Sequence, residues 1–165
     1  MHDDSASLIA CIPRLRRYAR ALLADRASAD DLVQDTMERG WNKLASWRRG
    51  SDMRAWLFGI MHNLHVDQQR RPALPTVELS DDIPLSTPHS DRLEIRDMQA
   101  ALQLLPDEQR EVLLLVALEE MSYEEAAAVL HIPPGTVMSR LSRARERLRL
   151  LMLGQAPAST LKVVK

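Results

Sequence analysis

Five arginines stand between His131 and Leu150 against a single acid, Glu146, and none of them falls on the apolar positions of that stretch. Val137, Leu141, Ala144, Leu148 and Leu151 recur at steps of four and three, which makes one buried helical stripe. Met138, Ser139, Arg140, Ser142, Arg143, Arg145, Arg147 and Arg149 remain outside it. A guanidinium fork matches phosphate and the guanine edge in bidentate fashion, so this chemistry is recognition of nucleic acid rather than bond making. Just upstream, Ser122 with Glu125 three residues on is a capping box that starts a short helix through Ala126, Ala127, Ala128, Val129 and Leu130. His131-Ile132-Pro133-Pro134-Gly135 ends it, because each proline lacks a donor and disfavours the helical region for the residue before it. Thr136 is expected to open the second helix. Two short helices, a tight turn and a basic outer face form the pattern of a helix-turn-helix whose second helix enters the major groove. An ordinary helix hairpin with a solvated basic face is the alternative.

Other chemistries find little support. His62 and His65 are three apart and place two imidazoles on one side of a helix, but no clear third ligand follows in sequence, so no metal site is expected. The chain has no phosphate-binding glycine loop, no nucleophile elbow and no catalytic dyad, so neither catalytic residues nor a cofactor are expected, and an enzyme reading has no basis. Cys11 is the lone cysteine and reads as a small apolar side chain, with no disulfide framework to join. The N-terminus carries Asp3 and Asp4 and no long apolar run, unlike a signal peptide. No run reaches the roughly 18 apolar residues of a membrane span. A cytoplasmic protein without membrane insertion is the expectation. The net charge of −1 provides no global basic field, so any binding of nucleic acid rests on local patches.

The elements that position these residues are helices. Aromatics are only 4% of the chain, and helical spacing dominates over alternation, which predicts an all-α fold. Residues 72–91 contain Pro72, Pro75, Pro84 and Pro88 among acids and serines, and read as an extended linker. It divides the chain into a block at 1–71 and a block at 92–153, with a tail at 154–165 that reads as disordered. In the first block a helix runs from Pro13 to about Ala24, a second from Ser28 through Leu32, Val33, Thr36, Gly40, Trp41 and Leu44, and a third from about Asp52 to Arg70-Arg71. In the second block a helix spans about 90–105, and Leu105-Pro106-Asp107 stops it and caps the next. Each block is small for an independent core and is expected to be marginally stable.

Taken together, the chain resembles a bacterial sigma factor of the extracytoplasmic-function type, over about residues 8–152. Three segments carry the resemblance. Asp30-Asp31-Leu32-Val33-Gln34-Asp35-Thr36 looks like the acidic helix with which such factors dock on RNA polymerase. Arg54-Ala55-Trp56-Leu57-Phe58-Gly59-Ile60-Met61-His62-Asn63-Leu64, with Asp67 and Arg70-Arg71, looks like the helix and loop that engage the minus-10 element. Leu104 to Arg110 plus the helix-turn-helix looks like the minus-35 module. The resemblance implies that Asp31, Leu32, Gln34, Asp35 and Glu38 bind the clamp helices of the polymerase's largest subunit. It implies a second contact with the flap of the second-largest subunit. Asn63 is the best candidate for an edge contact to a lifted base, His62 sits where relatives often carry arginine, and Arg54, Arg70 and Arg71 are placed for the strand's phosphates. On the second helix, Met138, Ser139, Ser142 and Arg143 are expected nearest base edges, and Thr136, Arg140 and Arg145 near phosphate. Met138 departs from the basic residue common in relatives. Trp56 and Phe58 read as core or as stacking platforms, with helical spacing favouring core for Trp56. The resemblance further implies core RNA polymerase, promoter DNA and an anti-sigma factor as partners. A stand-alone regulator and a sigma mimic that sequesters an anti-sigma factor are the rival readings.

Overall fold

Two aspartates start the long helices of the first half. In the computed structural model, which describes residues 2–71 and 89–154, with side chains from 3–71 and 94–154, Asp25 accepts hydrogen bonds from the Ala27 and Ser28 amides at 3.3 and 3.2 Å and from the Ser28 hydroxyl at 2.6 Å. The helix therefore begins two residues ahead of the Ser28 expected from sequence, because a carboxylate at the cap outcompetes a hydroxyl that serves it. Asp52 caps the next long helix in the same way, through Arg54 and Ala55.

Four helices form the first domain: α1 (His2–Ala10), α2 (Ile12–Leu22), α3 (Arg26–Asn42) and α4 (Met53–Arg70). The proline of α2 lies in its first turn, where its missing donor costs nothing. Helix α1 has no counterpart in the sequence reading, yet its Leu8 is 1% exposed and joins the core. Leu15, Tyr18, Leu22, Leu32, Leu57, Phe58 and Met61 fill the space between α2, α3 and α4. Phe58 meets Tyr18 edge to face with ring centroids 5.0 Å apart, so it is a core residue, and Trp56 packs against the same cluster half-buried. Trp41, near the end of α3, is exposed. Gly40 allows α3 and α4 to approach closely: a Cβ there would lie 2.7 Å from Leu57 Cδ2.

The second domain consists of α5 (His89–Leu104), α6 (Asp107–Leu113), α7 (Tyr123–Leu130) and α8 (Pro134–Gly154). Helix α6 runs on into a π-helical turn, Leu114–Leu118, closed by the Glu119 amide on the Leu114 carbonyl at 3.1 Å. Pro106 occupies the cap of α6, within the break expected at Leu105-Pro106-Asp107, and Asp107 is the first residue of the helix. The capping box of α7 forms as expected, with Ser122 and Glu125 each taking the other's backbone amide at 3.1 Å. His131 ends α7 in the left-handed region at φ 56°, and the Ile132 amide closes onto the Ala127 carbonyl at 3.1 Å. Helix α8 begins at Pro134, two residues before Thr136, since a proline is tolerated where no helical donor is required. Val137, Leu141 and Ala144 are buried, while Leu148 and Leu151 are half-buried. The proline-rich stretch and the tail after Gly154 lie outside the described residues, except that α5 already includes 89–91 and α8 includes Gly154.

Contacts between α4 and α7, and from α2 to α5 and to the π turn, join the two domains. The domains expected to stand alone with marginal cores thus share one buried cluster that runs from Leu15 and Phe58 to Val112 and Leu141. Ser122→Ala should cost about 1 kcal/mol, as loss of a serine cap does. Urea denaturation with tryptophan fluorescence and helical circular dichroism would measure it, and an unchanged midpoint would show that the box does not hold α7.

Candidate nucleic-acid and polymerase interfaces

The outer face of α8 carries the helix-turn-helix candidates. Met138, Ser139, Ser142, Arg143 and Arg145 are exposed, and Thr136 and Arg140 are half-buried at its edge. The Ser139 hydroxyl donates to the Thr136 carbonyl at 3.1 Å, and Arg140 reaches Glu108 at 3.7 Å. Glu146, the one acid of the stretch, is tied to Arg149 at 2.7 Å. That pairing leaves the first three turns of α8 with cationic and hydroxyl groups and the apolar Met138 facing outward, and the cationic groups suit a groove lined by phosphates.

On α3 the acidic candidates share one exposed face. Asp31, Gln34, Asp35 and Glu38 all face solvent, whereas Leu32, Val33 and Thr36 are buried on the opposite side. Leu32 is 0% exposed, so it positions the helix and offers no surface to a partner, contrary to the sequence-based expectation. Thr36 ties its hydroxyl to the Leu32 carbonyl at 2.7 Å. An open groove of about 470 Å³ runs between α3 and α4, with Asp35, Glu38 and Arg39 on one wall and Asp67 and Arg71 on the other. Asn63 and Arg70 are exposed on α4, and Arg71 is exposed just after it.

Arg54 and His62, also on α4, are placed otherwise. Arg54 Nη1 donates to the Glu119 carbonyl at 2.6 Å, and its guanidinium lies 3.8 Å from Asp52 and 4.0 Å from Glu125. The Nδ1 of His62 lies 2.7 Å from Glu111 Oε1, and its side chain is only 14% exposed. One turn further on, His65 Nε2 lies 3.0 and 3.2 Å from the two oxygens of Asp107. Arg17 pairs with the buried carboxylate of Glu119 at 3.3 Å. Arg110 donates to the Leu102, Gln103 and Leu105 carbonyls near the end of α5 and to the Leu22 carbonyl at the end of α2, while it also contacts Asp107 at 3.3 Å. Burial acts to raise the Asp107 carboxyl, and the hydrogen bond and charge of His65, with Gln69 and Arg110, outweigh it and hold it below the ordinary aspartate value. This polar seam between the domains escaped the sequence reading, which had weighed His62 and His65 alone. Burial also pushes the Cys11 thiol above its ordinary value, with Asp52 adding to it, the opposite of an activated thiolate.

Among the described residues the chain is all-helical, with an acidic face on α3, a polar face on α4 and an arginine-rich helix-turn-helix, and known proteins identify the family. Residues 8–62 match the family model described as the Sigma2 domain of PhyR, and residues 95–148 match Sigma-70, region 4. The chain is 39% identical over 157 residues to the ECF RNA polymerase sigma factor EcfG of Rhodopseudomonas palustris (strain TIE-1), covering 92% of this chain and 84% of that protein. Among solved structures it is similar to the sigma factor RpoE in complex with the anti-sigma factor NepR from Bartonella quintana. The TM-score is 0.75 at 32% identity, over 92% of this chain and 98% of that one. It is also similar to CnrH in complex with the cytosolic domain of CnrY, with a TM-score of 0.66 at 28% identity over 92% and 97% of the two chains. The chain belongs to the extracytoplasmic-function sigma factors. It is accordingly an alternative sigma factor, a transcription initiation protein.

Removing Arg54 takes away a charge-assisted hydrogen bond across the seam. Arg54→Ala should loosen the domain contact by about 1.5–3 kcal/mol, the range for hydrogen bonds to charged groups. Small-angle scattering should then show a larger radius of gyration than for the wild type. An unchanged radius would mean that the contact does not hold the domains together.

Proposed function

We propose that this sigma factor divides its work among three surfaces. Asp31, Gln34, Asp35 and Glu38 on α3 dock on the clamp helices of the largest subunit of core RNA polymerase, with a second contact from the C-terminal domain to the flap of the second-largest subunit. Arg54, His62, Asn63, Arg70 and Arg71 on and after α4 engage the minus-10 element. Asn63 supplies donor and acceptor to a base edge and the arginines hold phosphates. On α8, Ser139, Ser142, Arg143 and Met138 face the bases of the minus-35 element, and Thr136, Arg140 and Arg145 face its phosphates. The domains are residues 1–71 and 92–153, joined by the stretch at 72–91 and followed by the tail at 154–165. Phosphodiester synthesis belongs to the polymerase, so the chain itself is not an enzyme, and its place of work is the cytoplasm.

The observation that carries this reading is the exposure pattern. The acidic face of α3 and the basic face of α8 are both open to solvent, whereas Leu32 and Val33 on α3 and Val137, Leu141 and Ala144 on α8 are buried. The seam adds a condition. Arg54 and His62 hydrogen-bond to Glu119 and Glu111 of the other domain, so minus-10 engagement requires the domains to part. We infer that an anti-sigma factor holds them together as found here. A match confined to one domain could not reach 92% of the chain at a TM-score of 0.75, and that neighbour is a sigma factor bound to an anti-sigma factor. The inhibitor then acts by selecting one arrangement from an existing equilibrium.

A stand-alone regulator would bind duplex DNA as a dimer on paired half-sites and would leave the acidic face of α3 without a purpose. A sigma mimic would do without the arginine-rich face of α8. The separating experiment is co-elution of the labelled chain with purified core RNA polymerase. Tight co-elution that Asp35→Arg weakens is the expected result, and a folded chain that stays apart from core would overturn the polymerase assignment. With core bound, Arg143→Ala should lower binding to a matched minus-35 site by about 1–3 kcal/mol and relax selectivity, while Arg145→Ala should weaken all sequences alike. Equal losses on matched and mismatched sites for Arg143→Ala would overturn its role at the bases.

A further inference from the structure

Helix α4 presents His62 and His65 three residues apart, and α6 presents Asp107 and Glu111 four apart, so each pair shares one helix face. The two faces oppose each other across the domain seam. One ligand atom each from His65, Asp107 and Glu111 lies within 4.8 Å of the others. His65 and Glu111 are 1% and 5% exposed. The Nδ1 of His62 lies 2.7 Å from Glu111 Oε1, in position to orient that carboxylate. Asp107 is also held by Arg110, 3.3 Å from Oδ1, and by a hydrogen bond from Gln69, so an ion would take over the contact that Oδ2 now makes with His65 Nε2 at 3.2 Å. The sequence reading dismissed a metal because no third ligand followed the histidines. The fold brings two carboxylates from more than forty residues away, 42 between His65 and Asp107 and 49 between His62 and Glu111.

We propose that His65, Asp107 and Glu111 form a divalent transition-metal site, best suited to zinc, that clamps the two domains together. One imidazole nitrogen and two carboxylates make a mixed ligand set in which the nitrogen favours zinc over magnesium or calcium. Zinc takes such ligands at about 2.0–2.2 Å, so the three groups close on the ion by a small movement of side chains. His62 supports the site through its bond to Glu111. The ion offsets the charge of the buried Glu111 and of the half-buried Asp107, and it binds only when α4 and α6 face each other. Mass action then favours the closed arrangement. The consequence for promoters rests on the minus-10 reading of Arg54 and His62 given above, but the site itself does not.

The test uses the intact chain, stripped of metal, with Zn2+ alone as titrant and no DNA or polymerase. It therefore fails or succeeds independently of the promoter reading. Calorimetry should show one ion per chain, with His65→Gln and Glu111→Gln each weakening binding at least tenfold and the exposed Glu124→Gln leaving it unchanged. Co2+ in place of Zn2+ should give the visible bands of a low-symmetry site, and Zn2+ should raise the Tm of the wild type and slow amide exchange in both α4 and α6. If both variants fail to fold, the wild-type measurements decide. Absence of binding, binding that both variants leave intact, or a Tm and exchange pattern that Zn2+ does not move would each overturn the proposal.

Discussion

Carboxylates buried between the domains govern how the chain is put together. Glu111 and Glu119 are 5% and 1% exposed, and a buried carboxylate is costly unless it is hydrogen-bonded. Each therefore requires a partner from the other half of the chain, which His62 and Arg17 supply. These contacts are directional, unlike the apolar packing around them. They set the rotation of α4 against α6, and with it which residues of α4 face the second domain and which face solvent. Asn63, Arg70 and Arg71 remain outside because His62 and His65 are turned inward.

Arg110 extends the same logic to helix ends. The last carbonyls of a helix lack intrahelical partners, and α2 and α5 both finish where the two domains meet. One guanidinium serves Leu22 in the first and Leu102 and Gln103 in the second, with Leu105 just beyond. A lysine has the charge but not the planar fork of donors, so it cannot reproduce this set. The segment from Leu104 to Arg110 was legible as part of a minus-35 module, yet its arginine acts in the structure as a tie between helix termini.

The sequence was most readable where local chemistry decides the outcome. The capping box at Ser122 and Glu125, the break at His131 and the apolar stripe of α8 depend on residues within a turn or two of one another. Boundaries shifted where two local signals competed. Asp25 took the cap from Ser28, and Pro134 was admitted into the helix that Thr136 was expected to open. Leu32 was misassigned because the family pattern places it among surface acids, while its own position on α3 faces the core. The seam could not be read at all. Its partners are separated by 42 to 102 residues, and helical spacing says nothing about what an unpaired polar face will meet.

That unreadable part links structure to function. Under the proposed assignment, Arg54 and His62 would be shared between Glu119 and Glu111 of the second domain and the promoter strand, and they could not serve both at once. Neither interaction has to be weak for the switch to work. The closed arrangement needs only an advantage of a few kcal/mol, and any ligand that prefers one arrangement shifts the balance by its difference in affinity between the two. Under the same proposal, polymerase and promoter would favour separation of the domains, whereas a protein or ion bound across the seam would favour their union. Because the same side chains enter both accounts, a substitution in the seam changes two equilibria together. Binding to promoter and opening of the domains must therefore be measured separately before a role is assigned to either residue.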